Sequence, residues 1–322
     1  MLKVWALLDD RAGNNNQVLA VAEALDIPFE EKKIQYNKFV KLPNFLRQAT
    51  TLGIDKGSLN QFELPLEDLP DLIIGAGRRM YPLMRYLKKK KKGNMRLVQI
   101  MNPGKSGFKE ADLVVLPRHD NYKGYSKNVF FTLGAPNRVT KERLQAEQEK
   151  WRSVFEAYPQ PRVSVIVGGA TKKSPFTIQM AEQLALDVLA LEPGSLLITT
   201  SRRTPTEVVQ KLKAIFPKEN TYFYQYGDEG ENPYFGLLSW GSRIVVTGDS
   251  MSMCSEACSA GVPVYIFAPN GSMGKKHQLF HKQLYESGYA TALGSGQIAF
   301  GGILNAANEV AERVKTLIET ED

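Results

Sequence analysis

Eleven short runs of strand length, most of them rich in Val, Ile and Leu, recur along the chain, and most lead through a polar or Gly-containing turn into a stretch of helical length. Leu2 to Leu8 is the first. The helix expected after it has Val18, Val21, Ala22 and Leu25 on one face at i, i+3, i+4 and i+7. Phe29 to Gln35 is the next run. Asp71 to Ile74 then enters Gly75-Ala76-Gly77-Arg78-Arg79, with a helix expected from about Tyr81. Arg96 to Met101, Ala111 to Leu116 and Asn128 to Leu133 complete a first set. A charged helical stretch from Thr140 ends near Pro159 and Pro161, a linker signature. The second set is Val163 to Val167, Ser195 to Thr200, Tyr222 to Tyr226, Ile244 to Thr247 and Val262 to Phe267. Runs that are apolar throughout suit strands buried on both faces, and alternation with helices predicts parallel sheets. The fold class is therefore α/β, with domains at 1–140 and 162–302, a linker helix at 141–161 and a last amphipathic helix at 303–322.

The segment Arg243 to Pro269 is the clearest single unit, reading as strand, tight turn, helix and strand. A helix entered through Gly248, Asp249, Ser250, Met251 and Ser252 presents free NH groups and the positive end of its dipole at the carboxyl end of a buried strand. Anions and nucleotides bind at such places. Glu256 falls about one turn into that helix. From spacing alone it either accepts two bonds from a ribose diol or caps the helix with Ser250 or Ser252.

Other strand ends carry chemistry as well. Asp9 to Gln17 contains Asp10, Arg11, Gly13, Asn14, Asn16 and Gln17, a polar loop suited to an oxygen-rich ligand. Gly77 allows close approach, and Arg78 or Arg79 offers a fork to phosphate or carboxylate. The third Gly of a dinucleotide fingerprint is missing, so no NAD site is expected. Asn102-Pro103 and Arg118-His119-Asp120 emerge on the same edge, where these residues should line one cleft. His119 beside Asp120 is the best general base, with Asp10 competing. In the second half, Gly168, Gly169 and Ser174 can cradle phosphates, although the spacing of a P-loop is absent. Thr200, Ser201 and Arg202 are expected near a diphosphate.

Composition narrows the class. The 322 residues are 43% hydrophobic, enough for two cores. No apolar run reaches the length of a membrane span, and no signal peptide is indicated, so the expected compartment is the cytoplasm. Cys254 and Cys258 read as buried thiols. His277 and His281 lack the Glu of a zinc helix, so no metal and no cofactor are expected. Residues 1–150 hold 26 Lys and Arg against 17 Asp and Glu, which suits an anionic partner. Lys88 to Lys92 reads either as a solvated helix end or as a contact with the inner face of an anionic membrane. Nucleic acid is not expected, because no aromatics interleave the lysines. The apolar residues of Phe39 to Ala49 are expected in the core.

Two resemblances add a substrate class. Ser255-Glu256, Gly261-x-Pro263 and Pro269 resemble the nucleotide-sugar half of glycosyltransferases with two facing Rossmann-like domains, notably the lipid-linked peptidoglycan N-acetylglucosaminyltransferases. There the matching Glu holds the ribose hydroxyls, and the terminal helix crosses back to the first domain. Asp9 to Gln17, Ile74 to Arg79, Gln99 to Pro103 and Pro117 to Asp120 resemble the family labelled mitochondrial fission ELM proteins, usually grouped with predicted nucleoside-diphosphate-sugar enzymes. Together they imply a GT-B type fold, two Rossmann-like domains facing across a cleft. The implied activity is glycosyl transfer from a nucleotide-sugar donor to an unknown acceptor of the membrane or envelope. A nucleotide-sugar epimerase and a non-catalytic, membrane-peripheral adaptor are the alternatives.

Overall fold

The computed structural model describes residues 2–92, 94–104, 108–124, 126–170, 175–297, 300 and 302–319. Two compact units form, one from Met1–Arg138 with Asn305–Asp322 and the other from Val139–Leu304.

The first unit is a six-stranded sheet in the order β2-β1-β3-β4-β5-β6, every neighbouring pair parallel. Its strands are β1 (Val4–Leu8), β2 (Phe29–Lys33), β3 (Leu72–Ala76), β4 (Arg96–Ile100), β5 (Leu113–Pro117) and β6 (Val129–Thr132). Along β1 the pleat sends Val4, Ala6 and Leu8 to one face and Trp5 and Leu7 to the other, and all five are buried. The first face packs on α1 (Ala12–Ala24); the second packs on α4 (Gly77–Lys90) through Met80, Leu83, Met84 and Leu87. Two single turns, α2 (Asn44–Arg47) and α3 (Lys56–Leu59), lie between β2 and β3. The edge strand β2 reads FEEKK, and charges along an open edge discourage pairing with another chain.

Both helices of this unit begin earlier than the sequence pattern suggests. Residues 12–17, expected as loop, are the first turns of α1, and α4 starts at Gly77 rather than near Tyr81. Gly77 makes the second start possible: at φ +76 it turns β3 directly into the helix, in a backbone conformation that side chains disfavour. The lysine run also has a local explanation. Lys88 pairs with Asp112, Lys90 donates to the carbonyls of Phe62 and Leu64, and Lys91 bonds Asp71 and the carbonyls of Leu69 and Pro70. Two of the five lysines thus hold the 62–71 segment and a third is held by Asp112, which removes these three from the membrane contact considered above.

The second unit has the order β12-β11-β10-β7-β8-β9, again parallel. The chain enters it through α5 (Lys141–Lys150) and α6 (Arg152–Phe155), then runs β7 (Arg162–Val167), α7 (Ile178–Leu189), β8 (Ser195–Thr200), α8 (Thr206–Ile215) and β9 (Thr221–Tyr224). It continues through α9 (Tyr234–Trp240), β10 (Arg243–Thr247), α10 (Met251–Cys258), β11 (Val264–Phe267), α11 (Lys275–Glu286) and β12 (Thr291–Ala292). Read from β9, this is the 3-2-1-4-5-6 order of a Rossmann sheet. The stretch expected as a linker is part of this unit. Phe155 is wholly buried there, edge-on to Tyr222 at 5.0 Å and to Trp240 at 6.3 Å, and Trp240 Nε1 donates to Gln148 O at 2.9 Å.

The last helix, α12 (Ala306–Glu319), lies on α1, so the chain returns to the first unit after completing the second. Val310, Ala311 and Val314 join the core of Val18, Val21 and Ala22. Cutting Val310 and Val314 back to Ala together should cost the first unit about 2–4 kcal/mol, since each leaves a cavity in a closed core. Urea unfolding checks this: the transition of the first unit should move to lower denaturant while that of the second stays in place.

Candidate functional site

In the second unit the strand order reverses between β7 and β10, and the carboxyl ends of such strands flank a crevice. Asp249 lies buried beneath the turns that meet there. Its Oδ1 accepts from Thr247 Oγ1 at 2.7 Å, and its Oδ2 accepts from the NH of Gly169 at 3.0 Å and from Arg203 Nη2 at 2.9 Å. Thr247 Oγ1 in turn accepts from the NH of Gly168 at 2.7 Å. One carboxylate therefore fastens the turns after β7, β8 and β10 together. Both glycines are sterically required: a Cβ on Gly168 would overlap the Asp249 carboxylate, and one on Gly169 would overlap the carbonyl of Arg203.

The two histidines of α11 support the same turn. His281 Nε2 lies 2.9 Å from Gly248 O, and His277 Nε2 lies 3.2 Å from Asp249 O. A carbonyl only accepts, so both rings donate through Nε2. Burial takes His281 down to about 4, which keeps it neutral in this role near pH 7.

The helix α10 opens at this crevice. Ser250 caps it, accepting from the NH of Met253 at 3.4 Å, and the NH groups of the first turn face outward along the axis. Glu256 lies beyond the capping turn and its partner is the hydroxyl of Tyr234 on α9, so the capping reading does not hold. Desolvation raises Glu256 to about 7, offset only in part by the Tyr234 hydrogen bond and the charge of Arg143.

Several expected ligands are otherwise engaged. Ser255 is fully buried and its hydroxyl donates to Met251 O at 2.7 Å, so it faces its own helix rather than the crevice. Thr200 is buried, with Oγ1 accepting from the NH of Tyr226 at 2.9 Å. Ser201 Oγ accepts from the NH of Arg203 at 3.2 Å. Arg202 is exposed, and it is Arg203 that is tied into the site. Ser252 is exposed at the start of α10 beside a half-buried Met251. Ser174 lies outside the described residues.

The first unit has a second constellation, where its own strand order reverses between β1 and β3. Asp9 Oδ2 meets Arg79 Nη2 at 3.3 Å, Tyr36 Oη at 3.4 Å and Asn14 Nδ2 at 3.4 Å. Arg79 also bonds the exposed carboxylate of Asp10 and lies over the Tyr36 ring, 4.6 Å from its centroid. The Asn triplet acquires an account. Asn15 clasps Asp9 in both directions, Oδ1 accepting from its NH and Nδ2 donating to its carbonyl, each at 2.8 Å, and Asn14 fits against Gly77. Asn16 and Gly13 are exposed, Gln17 turns back to Gly13 O at 3.2 Å, and Arg11 is the exposed N-cap.

The remaining candidates are spread along the edge. Asn102 closes a turn by accepting from the NH of Gly104 at 2.8 Å, and Pro103 O accepts from Asn44 Nδ2 at 2.9 Å. Arg78 is exposed. Arg118, His119 and Asp120 form one turn after β5, with His119 buried. Since β5 is three strands from β1, strand spacing of ~4.8 Å separates His119 from Asp10 by about 14 Å. Of the two arginines offered after Gly77, it is Arg79 that is tied in. Tyr36, Arg203 and Tyr234 were not singled out, because each owes its place to tertiary packing and none carries a local motif.

Two parallel Rossmann-like sheets make this an α/β protein of the GT-B type, the fold of a class of glycosyltransferases and sugar-nucleotide epimerases. Solved structures agree at low identity. The Methanocaldococcus jannaschii UDP-GlcNAc 2-epimerase in complex with UDP-GlcNAc and UDP matches with a TM-score of 0.53 at 11% identity, covering 98% of this chain and 99% of that one. Acinetobacter baumannii MurG matches at 0.51 and 14%, covering 99% and 90%, and Arabidopsis thaliana UGT89C1 complexed with UDP at 0.52 and 10%, covering 98% and 90%. The chain belongs to the mitochondrial fission ELM1 family, whose model matches residues 12–318. An uncharacterized protein of Rickettsia prowazekii (strain Madrid E) is 31% identical with 98% of each chain covered. The mitochondrial fission protein ELM1 of Arabidopsis thaliana is 32% identical over 74% of this chain and 61% of its own length.

Two measurements follow from this geometry. Gly168→Ala should destabilise the second unit by about 1–3 kcal/mol, the usual cost of overpacking, read as a lowered urea midpoint. Glu256 gives a pH signature. Its folded value of about 7 lies above the ordinary 4.5, so between those values the folded chain holds a proton that the unfolded chain has released. The group's contribution is complete below pH 4.5 and is lost as pH rises through 7. His281, depressed to about 4 from 6.5, has the opposite slope between pH 4 and 6.5. Glu256→Gln removes only the first slope. Its stability relative to the parent should therefore rise by roughly 3 kcal/mol from pH 4.5 to 8, measured by urea titration at each pH.

Proposed function

We propose that the second unit binds a nucleoside-diphosphate sugar and that the protein transfers the sugar to an acceptor held by the first unit. The observation that carries the reading is the crevice at the β7 and β10 ends. It combines a Gly-Gly turn, the open first turn of α10 and an Arg203 side chain half exposed on its Asp249 partner. A diphosphate would be met by the NH groups of α10 and by Arg203 released from Asp249, both of which stabilise a departing anion. Glu256, once ionised, would accept from the ribose hydroxyls beside Tyr234. UDP in solved proteins of the same fold supports the nucleotide half of this reading. On the first unit, Asp10 and the Arg79 bridge would orient an acceptor hydroxyl, with Asp10 as the base nearest the reversal of strand order.

Thermal shift against a panel of nucleoside diphosphates and their sugars tests the donor half. One nucleotide at 100 times its dissociation constant should stabilise the chain by about 2.7 kcal/mol, and Glu256→Ala should abolish that shift. Retention of the full shift in the Glu256 variant would remove Glu256 from the site; absence of any shift in the parent would sink the donor reading. Product analysis of the bound sugar then separates transfer from epimerisation.

A further inference from the structure

The segment from Asn37 to Ile54 buries two polar side chains, Asn44, 6% exposed, and Arg47, 0%, beside the apolar Val40 and Ile54. Asn44 Nδ2 donates to Arg78 O and Pro103 O, both at 2.9 Å, and Arg47 donates to Leu52 O at 2.9 Å and Arg79 O at 3.1 Å. No carboxylate pairs with Arg47 among these bonds, so it is the backbone of the segment and of α4 that Arg47 fastens. Four large apolar members face outward: Phe45 is 63% exposed, Leu46 54%, and Phe39 and Leu52 are exposed as well. The core reading of this stretch holds for Val40 and is corrected for Phe39, Phe45 and Leu46.

Holding large apolar side chains outward on an anchored segment has a cost in water, because each forgoes the stabilisation that burial of such a group brings. A scaffold that pins them there with buried hydrogen bonds is built to meet an apolar phase. The charge pattern says which one. Lys38, Lys41 and Lys56 are exposed in and beside the segment, Lys38 lying 5.4 Å from the Phe39 ring, and residues 37–54 contain no Asp or Glu. Apolar tips flanked by lysines without acids complement a leaflet of acyl chains under anionic headgroups, and lysine adds attraction that a neutral apolar partner would not return.

We propose that residues 38–52 dock the first unit on an anionic lipid bilayer, with Phe39, Phe45, Leu46 and Leu52 entering the interface and Lys38 and Lys41 meeting the headgroups. The surface is separate from the Lys88 to Lys92 run, and its assignment does not depend on the donor reading. It would set the carboxyl edge of the first sheet against the membrane, because Asn44 and Arg47 tie the segment to the start of α4.

Vesicle flotation of the full chain tests it, using phosphatidylcholine alone and phosphatidylcholine mixed with phosphatidylglycerol. The parent should float with the mixed vesicles and hardly at all with the neutral ones. Replacing Phe45 and Leu46 together by Ser should lower the partition coefficient at least about tenfold. Lys38→Glu should lower it about fivefold or more, the change that ~1 kcal/mol per neutralised lysine produces. Lys89→Glu with Lys92→Glu, the exposed pair of the other run, should change it far less. An unchanged melting temperature verifies that the variants fold. Independently, Phe45→Trp should show emission quenched by brominated mixed vesicles. Failure of the parent to float, equal binding to neutral vesicles, or undiminished binding of the Phe45 and Leu46 variant would each overturn the proposal. So would light scattering that shows a dimer in the parent and a monomer in that variant, which would make a second copy the occupant.

Discussion

The buried carboxylate of Asp249 is the constraint on which the second unit's crevice depends. Three turns that leave different strands have no reason of their own to converge, since each is only a few residues long and polar. Asp249 gives them one: it takes a backbone NH from the β7 turn, a guanidinium from the β8 turn and a hydroxyl from β10 itself. A carboxylate removed from water needs such partners, and three donors meet most of its need. The glycines at 168 and 169 are the steric counterpart of that convergence, because any side chain there would push the turns off the carboxylate. The imidazoles beneath hold the carbonyls of the same turn, so its NH groups stay outward.

The first unit solves a similar problem differently. Asp9 and Asp10 are joined to the β3 turn by one arginine, and Tyr36 supplies a ring for that arginine to lie on. Arg47, behind it, fixes the backbone carbonyl of the same Arg79. The side chain of Arg79 therefore has little freedom, although it is not deeply buried. A guanidinium so placed presents a fixed charge beside an exposed carboxylate, a pairing suited to ordering a polyhydroxylated or anionic partner.

Much of the fold was legible because strands buried on both faces are apolar without interruption; each of the eleven runs holds a strand, although the charged edge strand β2 is not of that kind. Helix starts were less legible. Gly-Asn-Asn-Asn after Ala12 and Gly-Arg-Arg after Ala76 have poor helix propensity, and they are helical because Asn15 clasps Asp9 and Gly77 takes a positive φ. Residues 38–52 misled for another reason: apolar spacing says that a segment has a greasy side, and only tertiary bonds to Asn44 and Arg47 decide which side faces in. Glu256 was visible by its position, but its Tyr234 partner comes from another helix and left no trace in the local pattern. Arg202 and Arg203 could not be told apart by spacing, since neighbours in a turn point in different directions.

The return of α12 to the first unit makes that unit discontinuous in the chain, whereas the second is one uninterrupted stretch. Synthesis runs from the amino terminus, so the second unit is complete on the ribosome while one face of the first sheet still lacks the helix that covers it. Val18, Val21 and Ala22 wait for Val310 and Val314, which emerge almost three hundred residues later. The half of the molecule made first is therefore the half finished last, and its open apolar face is the part of the nascent chain with most need of a chaperone.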